Sequence, residues 1–308
     1  MGTSFQDFEY EIKDEGICIC ACFSMGTTAE IPEKIDGLDV VEIASYAFAG
    51  NATLKEKNGM KQLAGGRVEE IILPKTLKRI GRYAFYNCKN LRRLEFYNIL
   101  KDLGAGAFTG CHKVQEIKVT YLEHKQSILR EFLVELPEEQ LLELFYEDGE
   151  AKLVFPEFFE ESVENTPARN IEIFTHGSGM MYRNCFVKKE LDFLKYDERF
   201  AWAKGKEFPE TLFHLAVCRL LHPYALSEKY RQKYLEYLKE HLQKCALWAA
   251  ETEKPEVLYL LADSCAETAE EMDLLISAAN RQSEIAVLSY LMDKKHQKFK
   301  AKRKSFEL

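Results

Sequence analysis

Between Val68 and Val119 the apolar positions return every 23 residues. Val68, Leu91 and Val114 align, as do Ile71, Leu94 and Ile117, and Leu73, Phe96 and Val119. The same offset pairs Leu77 with Leu100, Ile80 with Leu103, Phe85 with Phe108 and Cys88 with Cys111. Upstream, "VVEIASYAFAGN" puts Ile43 and Phe48 in the same slots, and "ATLKEKNGMKQLAGG" is inserted before the next copy. A fixed period with apolar residues in fixed slots predicts a stacked solenoid. One such turn cannot bury its own apolar face, so its neighbours must. Each copy is expected to supply one short parallel strand, for example Arg93–Tyr97, with Leu94 and Phe96 inward and Arg93, Glu95 and Tyr97 outward. Stacked copies then form two outward ladders: Thr28, Glu70, Arg93 and Glu116, and Glu30, Ile72, Glu95 and Lys118.

"IILPKTLKRIGRYAFYNCKNLRRLEF" resembles the 23-residue leucine-rich repeat of the bacterial surface-antigen (BspA-like) class, and the leading "FEYEIKDEGICICACFSMGTTAEIPEKIDGLDVVEIASYAF" resembles the way such arrays begin. The resemblance covers roughly residues 5–120. It implies a sheet face that binds a protein or peptide, with Glu70, Ile72, Arg93, Glu95, Tyr97, Glu116 and Lys118 as the expected contact residues. Four strands about 4.8 Å apart offer about 300 Å², against about 800 Å² per partner in a stable interface. A short peptide or a transient contact is therefore expected. Many members of the class are secreted, whereas the opening residues here lack a basic n-region and an apolar h-region.

After Val119 the period decays. "HKQSILREFLVEL" and "PEEQLLELFYE" carry apolar residues at helical spacing, which predicts helices closing the open end of the array. Residues 136–208 then hold 16 acidic against 9 basic side chains. Glu157, Glu160, Glu161 and Glu164 recur at helical spacing. "NIEIF" and "MMYRNCFV" read as strands flanking "THGSG", where Gly177 and Gly179 allow a tight turn. That turn has two readings. It is a plain hairpin loop, or it is a small-ligand or hydrolytic site built from His176, Ser178 and Arg183, with Cys185 as a nucleophile near His176. From Pro209 onward the pattern is helical, with Pro209 in a first turn, Ser227 as a cap and "EKYRQKYLEYLKEHLQKCALWAA" as one helix. "AANRQSEIAVLSYLMDKK" resembles the second half of an ankyrin repeat, without that repeat's Thr-Pro-Leu-His start. The seven basic residues of Lys294–Lys304 read as a solvated helix end.

Composition narrows the function classes. The net charge of −8 argues against a nucleic-acid partner, which needs a basic footprint. No run of 18 apolar residues is present, so no membrane span is expected. Nine cysteines with no CxxC pair suit a reduced, cytoplasmic protein that uses thiols as small hydrophobes. Cys18, Cys20 and Cys22 alternate, so a strand would point all three one way. Three thiolates fall short of the usual four zinc ligands, and a packed first strand is the preferred reading. His214, His222 and His241 form no HExxH, and no P-loop, Rossmann or serine-elbow signature occurs. The expectation is an α/β solenoid plus an all-α region: a leucine-rich repeat array with its end cap over 1–135, an acidic α+β connector over 136–208, and antiparallel helix pairs over 209–308. It is expected to be a non-enzymatic protein-interaction module without metal or cofactor. The alternative is the ligand-binding or hydrolytic site in residues 150–208.

Overall fold

A computed structural model describes residues 6–50, 54–165, 170–281 and 285–299. The chain divides into two compact units, Met1–Glu207 and Phe208–Leu308.

The first unit is an N-terminal β-solenoid. It starts with an antiparallel hairpin, β1 (Gln6–Lys13) and β2 (Gly16–Ser24), followed by β3 (Thr28–Glu30), β4 (Lys34–Ile35) and β5 (Leu38–Ile43). The inserted stretch contributes a small hairpin, β6 (Glu56–Lys57) and β7 (Met60–Gln62), which pairs with β2. The repeats follow as β8 (Glu70–Ile72), β9 (Arg79–Ile80), β10 (Arg93–Tyr97), β11 (Asp102–Leu103) and β12 (Glu116–Thr120). Strands β3, β8, β10 and β12 stack in parallel on one side, and β2, β5, β9 and β11 on another. The third side is a run of turns that carries the phenylalanine slot. Phe48 and Phe85 stack at 5.2 Å between ring centroids, and Phe85 and Phe108 at 5.1 Å. All three rings are buried in one column, as the repeat alignment requires. Gly81 and Gly104 occupy one repeat slot where coils touch. A Cβ there would lie 2.4 Å from a backbone nitrogen of the coil before.

Helix α1 (Leu129–Glu135) closes the column, with Phe132 against Phe108 at 5.3 Å and against Phe96 at 4.5 Å. The second expected capping helix is instead a strand. β13 (Gln140–Tyr146) adds in parallel to β12, and β14 (Gly149–Phe155) adds antiparallel to β13, giving a six-stranded sheet. Leu142 and Leu144 continue the buried rows of Ile117 and Val119. The open edge of β12 needed a partner, and that need overrides the helical preference of a Leu- and Glu-rich segment.

The glutamate run also departs from expectation. Glu160, Glu161 and Glu164 lie in β15 (Phe158–Asn165), paired antiparallel with β16 (Asn170–Gly177), and Glu157 just precedes it. Phe159, Val163, Ile171, Ile173 and Phe174 supply the aromatic and β-branched content that favours a strand pair. The joining residues 166–169 lie outside the described residues. "THGSG" is thus a strand-to-helix joint, not a loop between two strands. "MMYRN" enters α2 (Gly179–Arg183), and only then come β17 (Phe186–Val187), β18 (Glu190–Leu191) and α3 (Phe193–Ala203). Gly177 does take a positive φ of 77°.

The second unit is all helix among its described residues: α4 (Pro209–Leu221), α5 (Glu228–Glu240), α6 (Leu242–Glu251), α7 (Pro255–Ser264), α8 (Ala269–Ala279) and α9 (Ile285–Lys298). Pro209 opens α4 as expected. Ser227 sits at the N-cap of α5, but its side chain makes no capping bond. The long helix expected there breaks at His241. The ring Nδ1 lies 3.0 Å from the Tyr237 carbonyl, the acceptor a continuing helix would give to the His241 N–H. That N–H turns to Lys239 instead. Thr268 and Glu271 form a reciprocal capping box on α8, at 3.1 and 3.0 Å. Residues 300–304 of the basic tail lie outside the described residues. No described helix is long and apolar enough to cross a membrane.

Candidate functional site

The register of the six-stranded sheet fixes its outward rows. Thr28, Glu70, Arg93 and Glu116 lie side by side, as do Glu30, Ile72, Glu95 and Lys118. Both ladders extend onto β13, where Leu141 and Glu143 continue them, and Lys152 of β14 faces Glu143. Tyr97, Thr120 and Phe145 form a third row. Leu141, Glu143 and Phe145 were missed by a helical reading of their segment. The alternation of Leu142 and Leu144 with Glu143 and Phe145 was the available signal.

These rows are electrostatically knitted. Arg93 lies 2.7 Å from Glu95, 3.5 Å from Glu70 and 3.9 Å from Glu116. Partial burial alone would lower the Arg93 guanidinium, but Glu95, Glu70 and Glu116 outweigh it and hold it above its ordinary range. Lys118 lies 3.1 Å from Glu95 and over the Phe145 ring, and Lys152 lies 2.6 Å from Glu143. Arg93 is therefore committed within the face. Ile72 and Tyr97 stand where that lattice ends. With Pro32 and Pro74 from the strand-end turns, and with Glu95, Lys118 and Thr120, they line a concavity of about 250 Å³. A second one, about 190 Å³, lies beside the Tyr121–Tyr146 ring stack.

The middle coils match a known family. Residues 42–130 fit the family model described as the BspA type Leucine rich repeat region (6 copies). This is a leucine-rich-repeat-type solenoid. An α-helical region follows it in the chain. Among solved structures, the T. pallidum Leucine Rich Repeat protein is similar at 23% identity, over 36% of this chain and 68% of that chain, with a TM-score of 0.23. No curated protein matches the chain.

The four residues assigned by sequence to a ligand turn have different surroundings. His176 is exposed, stacks on Phe159 at 4.4 Å and bonds Glu161 at 3.1 Å. Ser178 is buried, and its backbone N–H donates to Glu207. Arg183 is fully buried. It donates to the carbonyls of Leu133, Leu136, Glu138 and Pro156 at 2.6–3.0 Å and lies over the Phe158 ring. Burial lowers the guanidinium to about 9, against the pull of Glu138, so it stays protonated at neutral pH. Cys185 is buried, its thiol pushed up to about 11 chiefly by that burial, and it donates to the Met181 carbonyl. A neutral thiol is a weak nucleophile.

The alternating cysteines sit on β2. Cys18 and Cys22 are buried and Cys20 is half-buried. Burial pushes Cys18 up to about 11 and Cys22 up to about 12. Among the described residues no group of three or more His, Cys, Asp or Glu side chains is placed to hold a metal ion.

Proposed function

We propose that the chain is a protein-docking scaffold, without chemistry of its own, whose solenoid sheet face and adjoining connector receive a segment of a partner protein. The observation that carries this reading is the concavity at the edge of the ion-pair lattice, where Ile72 and Tyr97 meet Glu95 and Lys118. The glutamates around Arg93 already satisfy it, so a partner gains little from that charge. Apolar and aromatic anchors carry the affinity instead. Six strands are about 24 Å across and give about 400 Å² of face, half of what one side of a stable interface uses. The occupant is then a short segment. The nine free cysteines, with Cys18, Cys22 and Cys185 held as neutral thiols, suit a reducing cytoplasm.

The test places a photo-crosslinking residue at position 97 and illuminates cells expressing the full chain. One discrete protein adduct is expected, lost when Ile72→Asp is added. An absence of adducts, or an adduct indifferent to Ile72→Asp, removes the sheet face from the function.

A further inference from the structure

Strands β15 and β16 pair with each other and with no other described strand. Each spans 8 residues, about 27 Å of ribbon. Apart from the Phe158 N–H, which donates to the Pro137 carbonyl, the outer edges therefore present backbone N–H and C=O groups with no strand partner among the described residues. The register sorts the side chains into two faces. Phe159 and Val163 share one with Phe174 and Glu172, and Ile171 and Ile173 share the other with Ser162 and Glu164. Both faces are open: Ile171 is 70% exposed, Ile173 62% and Phe159 55%. A two-stranded ribbon is marginal by itself in water, and contiguous exposed apolar surface marks a contact.

Charge decides what kind of partner fits. Residues 157–164 and 170–177 contain five glutamates and no lysine or arginine. Glu161 bonds His176. Glu157, Glu160, Glu164 and Glu172 have no ion-pair partner among the described residues. Ribbon against ribbon in a second copy would bring two such sets of carboxylates together, and like charges across strands repel. A basic strand beside β15 would instead set its basic side chains against Glu160 and Glu164 on one face and its apolar ones against Phe159 and Val163 on the other.

We infer that the β15–β16 ribbon is a strand-addition site for an extended, Lys- or Arg-rich segment of a partner protein that alternates basic with β-branched side chains and pairs along the β15 edge. The inference rests on the reading that the connector takes part in docking. Its test leaves Ile72 and Tyr97 untouched, so its failure leaves the sheet-face reading standing.

The probe is a fluorescent nonapeptide alternating Val with Lys, titrated against the full chain by anisotropy at low salt. Two comparison peptides alternate Val with Glu, or keep Val and Lys but carry N-methylated backbone amides on one edge. The Val/Lys peptide is expected to bind, and both comparison peptides to bind at least tenfold more weakly. The triple variant Glu160→Lys, Glu161→Lys, Glu164→Lys should lose binding by at least tenfold with an unchanged circular dichroism spectrum. Equal binding of the Val/Glu peptide, or of the N-methylated peptide, overturns the proposal, as does an unaffected triple variant. A dimer in sedimentation that Phe159→Asp and Ile173→Asp dissolve would make the occupant a second copy and also overturn it.

Discussion

Glu135 shows how one side chain can end an array. In the coils, the N–H groups of Tyr46 and Phe48 donate to carbonyls of Arg82 and Ala84, and those of Tyr83 and Phe85 donate to Ala105 and Ala107. The corresponding donors of the last coil, Gly106 and Phe108, have no further coil above them. The two carboxylate oxygens of Glu135 accept their N–H groups at 2.9 and 3.0 Å. Glu135→Ala should therefore orphan two donors and cost about 2–4 kcal/mol. Glu135→Gln keeps one acceptor and should lose roughly half of that. Urea unfolding in a Trp248→Phe background reads this cleanly, because Trp202 is then the only tryptophan and lies in the first unit. Arg183 makes a parallel case. Its planar donors serve four carbonyls, so Arg183→Met should cost upwards of about 3 kcal/mol, and Arg183→Lys should not rescue it. A Lys variant as stable as the wild type would show that charge, not the fork of donors, is what that pocket uses.

At the scale of elements, the aromatic column ties the coils together. Phe85 contacts rings on both sides, Phe48 and Phe108. Phe85→Ala should cost about 3–5 kcal/mol and lower the urea midpoint followed by Trp202. A loss under about 1 kcal/mol would mean the coils hold through their backbone ladders alone. The column was legible in the sequence because the period aligns Phe85 with Phe108 and the Tyr-Ala-Phe motif it shares with Phe85 puts Phe48 in the same slot across the insertion, and the outward rows followed from strand alternation. What was not legible depended on neighbours far along the chain. Gln140–Tyr146 has a pattern that suits either period, and only the open edge of β12 makes it a strand. Glu160, Glu161 and Glu164 likewise suit either, and their cross-strand partners decide it. In the sequence Arg183 groups with His176 and Ser178 as a ligand turn because it follows closely on Gly177 and Gly179. Its carbonyl partners come from 27 to 50 residues earlier, beyond any local pattern.

Across the whole molecule the thiols act as a common pH-sensitive load. All nine cysteines are free, and every one but Cys20 is buried. Burial pushes Cys18, Cys185 and Cys265 up to about 11 and Cys22 up to about 12, and raises Cys245 further, while Cys88 is raised further by its interaction with Cys111 and then by burial. In the unfolded chain a thiol ionises near about 8.5. Between that value and the folded one, the folded state holds protons that the unfolded state has released. Stability must therefore fall as pH rises through this window, by up to about 1.4 kcal/mol per pH unit for each such thiol. Below about pH 8 both states are protonated and the effect vanishes. Both units carry such thiols, so both unfolding transitions should shift. Urea midpoints measured by Trp202 and Trp248 separately should hold steady from pH 7 to 8 and then drop by pH 10. Thiol labelling at pH 8 should modify one cysteine promptly and the remaining eight only on unfolding. A midpoint that stays flat to pH 10, or several cysteines that react at once in the folded protein, would mean that water reaches these thiols and that the packed coils and helices are looser than their geometry implies.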